Sequence, residues 1–330
     1  MLPTAKSLHW SLIVRDRVAE IAFYKDILGM KVINHREFKE RGGRPPKGFK
    51  GMWSVTRLQY GSEPNRFAVQ ILFSYDTQLQ YQHGNRYVAM TIQSSKVLEN
   101  AVSAGMTIKN YKKGSQNKIL VSPAGYKFVI VNKPEPESSD PIKIIHLKSS
   151  DVMETLNFWH CLLGAKVVSG FKNHSIVVRF GDHGVKIKFC QTDRKITETS
   201  HGCSLTCRES LENIESLQKC LKEHEIELPL DITPLDVNED GNVKTMIVHD
   251  FDGQEIILCD EFGYEKHNVP QGDAVELLND AMRREKAGRG EDPIVTKTDA
   301  TLFRMVDAFD NYERCRRERS LRILQPFPHL

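Results

Sequence analysis

His9-Trp-Ser-Leu-Ile-Val-Arg-Asp16 runs into the segment Val18 to Leu28 and then into Gly29-Met-Lys-Val32. The same design returns later: Ile144 to Asp151 leads into Met153 to Leu163 and then into Gly164-Ala-Lys-Val167. A single offset carries Asp16 onto Asp151, Phe23-Tyr24 onto Phe158-Trp159, and Leu28-Gly29 onto Leu163-Gly164. Self-similarity over this length marks a duplicated structural unit.

Each copy reads as strand, helix, strand. Trp10, Leu12 and Val14 alternate with His9, Ser11 and Ile13, the period of a strand with two unlike faces. Asp16 and Asp151 stand where helix N-caps belong, because a short carboxylate accepts the free N–H groups of a first turn. Val18, Ile21, Tyr24 and Leu28 recur at helical spacing, as do Met153, Leu156, Trp159 and Leu163, which predicts two buried helix faces. Gly29 and Gly164 then supply left-handed stops.

A looser repeat follows each copy. Tyr87 to Ile92 reads as a strand, Ser94 to Gly105 as a short helix and Gly125 to Val131 as a closing strand after a glycine turn. The later equivalents are Ser204 to Cys207, a helix carrying Leu211, Ile214, Leu217 and Leu221, and Asp252 to Leu258. Four βαβββ units in one chain give an α+β fold. The expected domains are residues 1–132 and 142–262, joined by the Pro-rich linker Lys133 to Pro141, with a helical or partly disordered extension over 263–330. Within that extension Ala274 to Lys286 and the Arg-rich stretch Thr301 to Leu324 have helical character.

A chain of 330 residues with 40% hydrophobic and 27% charged content fits two soluble globular domains. No apolar run reaches the roughly 18 residues that span a bilayer, so no membrane partner is expected. The start shows no charged region leading into an apolar core, so no secretory signal is expected. A formal charge of +3 is too small to imply nucleic acid. Seven cysteines, an odd number with no Cys-x-x-Cys pair, point to reduced thiols and a cytoplasmic setting, with mitochondria left open.

The combined pattern of the first copy, its repeat, and Asp252-Gly-Gln-Glu-Ile-Ile-Leu258 resembles the glyoxalase I, or vicinal oxygen chelate, superfamily. The two-domain layout is most similar to the animal glyoxalase-domain-containing proteins. The resemblance implies two cups of curved sheet, the first unit facing the fourth and the third facing the second. It also implies a zinc or nickel ion held by oxygen and nitrogen ligands, and isomerisation of a glutathione hemithioacetal by a fourth-position glutamate, as in lactoylglutathione lyase, with glutathione as co-substrate. Such chemistry detoxifies methylglyoxal. Carried over position by position, the resemblance places metal ligands at His9, Gln70 and Cys203, with Ile257 where the catalytic carboxylate belongs. A slip of two residues in two strands would substitute His201 and Glu255, making Glu255 the candidate catalytic residue.

In the other cup the matching positions are Ile144, Lys188, Ala89 and Val129, a set that holds no divalent metal. Strand alternation puts His146, Lys148, Lys186 and Lys188 on its concave face, an electropositive candidate site for a small anion. Two readings stay open: a lyase with a degenerate metal site at His9, or a non-catalytic descendant that binds a small anion or a protein. A monomer suffices for either, because paired units already lie in one chain.

Overall fold

The computed structural model describes residues 2–286 apart from 40–44, 47, 64–65, 77–83, 113, 171–173, 198–202, 239–240 and 268. His201, Cys315 and the Thr301 to Leu324 stretch lie outside the described residues. The first unit comprises β1 (Lys6–Val14), helix α1 (Arg17–Ala22), β2 (Lys31–Phe38), β3 (Trp53–Gln59) and β4 (Ala68–Ser74). The second comprises β5 (Tyr87–Gln93), α2 (Ser95–Ser103), β6 (Lys109–Asn110), β7 (Lys118–Val121) and β8 (Lys127–Val131). The third runs β9 (Ile142–Ser149), α3 (Val152–Leu156), β10 (Lys166–Ser169), β11 (Ser175–Arg179) and β12 (Lys186–Gln191). The fourth runs β13 (Ser204–Glu209), α4 (Leu211–Glu223), β14 (Leu230–Asn238), β15 (Gly241–His249) and β16 (Glu255–Asp260). Two further helices close the described chain, α5 (Glu261–His267) and α6 (Ala274–Lys286).

These strands form two eight-stranded sheets, and neither is built from one continuous half of the chain. One sheet joins the first and fourth units through antiparallel pairing of β1 with β13. Its companion joins the second and third through β5 and β9. One face of each sheet packs into a shared core that includes Trp10 and Leu12 from β1, Met90 and Ile92 from β5, and Ile145 and Leu147 from β9. The helices cover that side, burying Ile21, Val97, Trp159 and Leu217. The opposite faces are the two cups.

Local chemistry explains the helix ends. The Asp16 carboxylate accepts from the Ala19 N–H at 2.9 Å, and Asp151 accepts from Met153 N–H at 2.8 Å. Both helices then widen into π turns, Phe23–Ile27 and Asn157–Leu162, with Leu28 N–H bonded to Phe23 O at 3.0 Å and Leu163 N–H to Phe158 O at 3.0 Å. The duplication thus extends to an irregularity, one of a kind often found beside functional sites. Gly29 and Gly164 follow at φ +76° and +81°, the left-handed region that favours glycine.

Met153, expected on a buried helix face, is instead 48% exposed, and Val152 and Thr155 take the buried positions. The π turn shifts the apolar stripe relative to ideal helical spacing. Helix α6 packs against edge strand β2, and just before the helix Gln271 N–H donates to Ile33 O at 2.9 Å while Gln271 Oε1 accepts from His35 N–H at 3.0 Å. Covering that edge blocks further strand pairing. Buried Arg17 anchors the helix, reaching Glu285 at 3.1 Å as well as Glu37 at 2.7 Å. No helix among the described residues is long and apolar enough to cross a membrane.

Candidate functional site

A bulge in β1 between Ser7 and His9 turns both Leu8 and His9 to the concave side of the first cup. In register, His9 lies beside Ala68 of β4 and Thr206 of β13, and Thr206 lies beside Ile257 of β16. Gln70 is level with Ser11 and donates to its hydroxyl at 3.3 Å. The expected pair His9 and Gln70 therefore shares one face. Two apolar clusters flank this polar strip. Ile13, Phe49, Trp53 and Leu72 fill one side, while Leu8, Val243, Cys259 and Tyr264 of α5 fill the other.

Arg57 reaches into the strip from β3. Its Nη2 donates to Gln70 Oε1 at 3.5 Å, and its guanidinium stands 5.7 Å from the Tyr264 ring centre. Burial, and secondarily the Arg57 charge, hold the His9 imidazole well below its ordinary pKa. Arg36 on β2 is lowered for the same two reasons. His9 is 4% exposed and Thr206 3%, and both His9 Nδ1 and Thr206 Oγ1 have no hydrogen-bond partner among the described residues. Leaving such groups unmet costs about 1–3 kcal/mol each.

The residues do not fit a divalent metal. Cys203 shares parity with the buried core residues Leu205 and Cys207, so it faces the core, where Trp10 and Tyr126 approach its thiol. Burial there pushes the thiol up to about 12, the wrong direction for a thiolate ligand. Cys203 is therefore withdrawn as a ligand. Strands β13 and β16 pair without interruption from Ser204–Glu255 to Glu209–Asp260, so no slip brings Glu255 level with His9. Glu255 stays two residues from Ile257, roughly 6.6 Å along the strand, and its carboxylate lies 3.8 Å from His249. What remains at the level of the cup is a neutral histidine, an amide whose oxygen meets Arg57, and a fixed positive charge. A hard dication needs anionic oxygen and tolerates no neighbouring cation. Among the described residues no three His, Cys, Asp or Glu side chains cluster to hold one.

The second cup gathers the basic side chains of β9 and β12 on one face. Lys188 of β12 lies beside His146 of β9, Lys186 beside Ile144, and Lys148 beside Cys190. Ile145, Leu147, Ile187 and Phe189 fill the core, so His146 and the three lysines share the concave side. Ala89 and Val129 face it too, as expected from their positions. The Thr91 hydroxyl sits 2.7 Å from His146 Nε2. Burial, with Lys188 second, lowers the His146 pKa to about 4, so the ring is neutral at physiological pH. None of the three lysines has an ion-pair partner among the described residues, all of them half-buried.

Sequence reading missed Arg57, Arg36, Thr206 and, in the second cup, Arg179, which pairs with Lys186 across β11 and β12. A signal for Arg57 existed: it continues the Trp53, Val55 alternation, which places an arginine on the concave side of a mostly apolar strand.

Paired βαβββ units around two concave sheets give the chain the fold of the glyoxalase, or vicinal oxygen chelate, superfamily, and its sequence is similar to proteins of that group. Residues 151–267 match the family model for the C-terminal domain of glyoxalase domain-containing protein 4-like proteins. The mouse glyoxalase domain-containing protein 4 is 27% identical over 291 residues, covering 87% of this chain and 95% of its own length. A Caenorhabditis elegans protein named glyoxalase 1 is 25% identical, covering 86% and 98%. Maize glyoxalase I, solved by crystallography, superposes with a TM-score of 0.63 at 19% identity over 80% of this chain and 95% of its own. At that identity the maize enzyme shows a shared fold.

Proposed function

We propose that the protein is a glyoxalase-fold binder of a small anionic molecule, held in the second cup. One observation carries this reading: Lys148, Lys186 and Lys188, with neutral His146 between them, share a concave face and have no carboxylate partner among the described residues. Cations held together without counter-charge raise the local potential and gain from a bound anion. His146 and Thr91 add uncharged hydrogen-bonding groups that would fix orientation. The test is calorimetric titration of the intact chain with inorganic phosphate and with glutathione, comparing wild type with Lys186→Glu/Lys188→Glu. Saturable binding that the double variant loses supports the assignment; equal binding in both removes it.

A lactoylglutathione-lyase activity at the His9 cup is the second reading, favoured by the name and nearly full-length match of the C. elegans relative. Its weakness is chemical. Ile257 stands where a proton-transferring carboxylate is required, and losing a general base typically costs about 10² to 10⁴ in rate. A hemithioacetal assay with zinc or nickel supplied, comparing wild type with His9→Ala, separates the two. No rate above background retires the lyase.

A further inference from the structure

Resting on the reading of the second cup as an anion site, we propose that its ligand is an amphiphile, a carboxylate whose head lies on Lys186 and Lys188 and whose apolar arm crosses the sheet over Ile144 toward Ile119. In register across six strands, Ile119 of β7 lies beside Val129 of β8, and Val129 beside Thr91 of β5. Thr91 lies beside Ile144 of β9, Ile144 beside Lys186 of β12, and Lys186 beside Arg179 of β11. Residues paired across strands share a face of the sheet. One concave row therefore passes from aliphatic side chains, through a hydroxyl, to fixed positive charge. The next row repeats the gradient, with Ala89 beside His146 and His146 beside Lys188.

The aliphatic half belongs to the cup and not to the core. Met90, Ile92, Phe128 and Ile130 fill the core from β5 and β8, so Ala89, Thr91 and Val129, which alternate with them, face the other way. Val129 is 4% exposed and forms the floor, while Ile119 and Ile144 are half-buried and present surface. Lys127 stands exposed at the start of β8, on the rim. At the boundary between the halves His146 and Thr91 satisfy one another at 2.7 Å, a neutral pair that brings no charge onto the aliphatic side. Each half asks for a different part of one molecule. Lysine heads without counter-charge gain from an anion, and apolar surface in water gains from being covered. A purely polar anion leaves Ile144 and Ile119 wet, and a hydrocarbon leaves Lys186 and Lys188 without counter-charge. From Ile144 to Ile119 is three strand spacings, roughly 14 Å at most, which leaves room for an arm of several carbons.

The test is calorimetric titration of the intact chain with inorganic phosphate, butanoate and octanoate. Octanoate should bind at least about tenfold tighter than butanoate, because each buried methylene contributes roughly a threefold to fourfold gain. Ile144→Thr and Ile119→Thr, which keep a β-branched side chain in its strand, should each lower the octanoate-to-butanoate ratio at least about twofold. Lys186→Glu/Lys188→Glu should abolish binding of both carboxylates. Octanoate no tighter than butanoate, or a ratio that neither threonine variant moves, overturns the amphiphile and leaves lysine-dependent phosphate binding, and with it the anion reading, in place. Failure of all three ligands to bind, or octanoate binding that the double glutamate variant retains, removes the amphiphile from this cup, and the first of these removes the anion reading as well.

Discussion

Replacing Asp250 with alanine should destabilise the protein by about 3–5 kcal/mol, the usual cost of stripping one partner from a buried ion pair. The Asp250 side chain is fully buried. One oxygen accepts from Arg86 Nη2 at 2.6 Å and from the Trp159 indole N–H at 3.0 Å. The other accepts from the backbone N–H groups of Asp252 and Gln254 at 3.1 and 2.8 Å, closing the turn into β16. Without it, the Arg86 head, 10% exposed, keeps among the described residues only Asp252 at 3.8 Å as counter-charge. A loss of this size lowers the melting temperature by on the order of 10 °C in a chain of this length. Calorimetry and urea unfolding are the assays, with Trp159→Phe as a control that removes one hydrogen bond and costs about 1–2 kcal/mol. In Arg86→Met/Asp250→Leu both charges leave together, so the double variant should cost at least about 2 kcal/mol less than the sum of its parts. An Asp250→Ala loss under about 1 kcal/mol, or strict additivity in the double variant, would refute the reasoning. The network bears on function because the Arg86 carbonyl accepts from Lys148 N–H at 2.9 Å, while Asp252 accepts from the Ser150 hydroxyl at 2.6 Å. Asp250→Ala should therefore also weaken phosphate binding in the second cup.

Other outcomes follow from buried titratable groups. Burial raises the Glu20 carboxyl to about 7, although it accepts from Ala124 N–H at 2.8 Å. A raised carboxyl pKa means that its contribution is full below the unfolded value near 4.5 and declines as pH climbs through 7. Glu20→Gln should then stabilise the protein by roughly 1–2 kcal/mol at pH 8 and have little effect at pH 5, as read by urea midpoints. His146 has the opposite sign: its folded pKa is depressed to about 4, so the stability it confers holds above 6.5 and fades as pH falls toward 4. His146→Gln should flatten that acid limb, and an unchanged limb would count against a neutral buried ring. The Tyr126 hydroxyl donates to Ile13 O at 2.8 Å, tying the second unit to β1, and Tyr126→Phe should cost about 1–3 kcal/mol in thermal unfolding.

The parts of this molecule that were legible in its sequence are those enforced by repetition and by strand period. Asp16 and Asp151 as caps, Gly29 and Gly164 as stops, and the lysines of β12 all follow from rules that act over a few residues. Cys203 lies on the core face for the same physical reason that Lys188 lies on the concave one. A strand has a period of two, so an error of one residue in phase sends a side chain to the opposite face, and only Leu205 and Cys207 in the core reveal the phase of β13. Met153 failed because the π turn that follows it alters the helical period, and no residue type announces such a turn. Helix α5 was not read at all, because seven residues beginning at Glu261 are too few for periodicity to declare. That short helix places Tyr264 over Arg57 and so decides what the first cup can hold. The positive charges were visible as letters; their convergence was not, since Arg57 meets His9 across strands β3, β4 and β1. A family pattern aligned by ligand positions asks which ligands have been lost. The folded strip shows in addition which side chains gather around the His9 position, Arg57 from β3 and Thr206 from β13, and neither belongs to the ligand pattern.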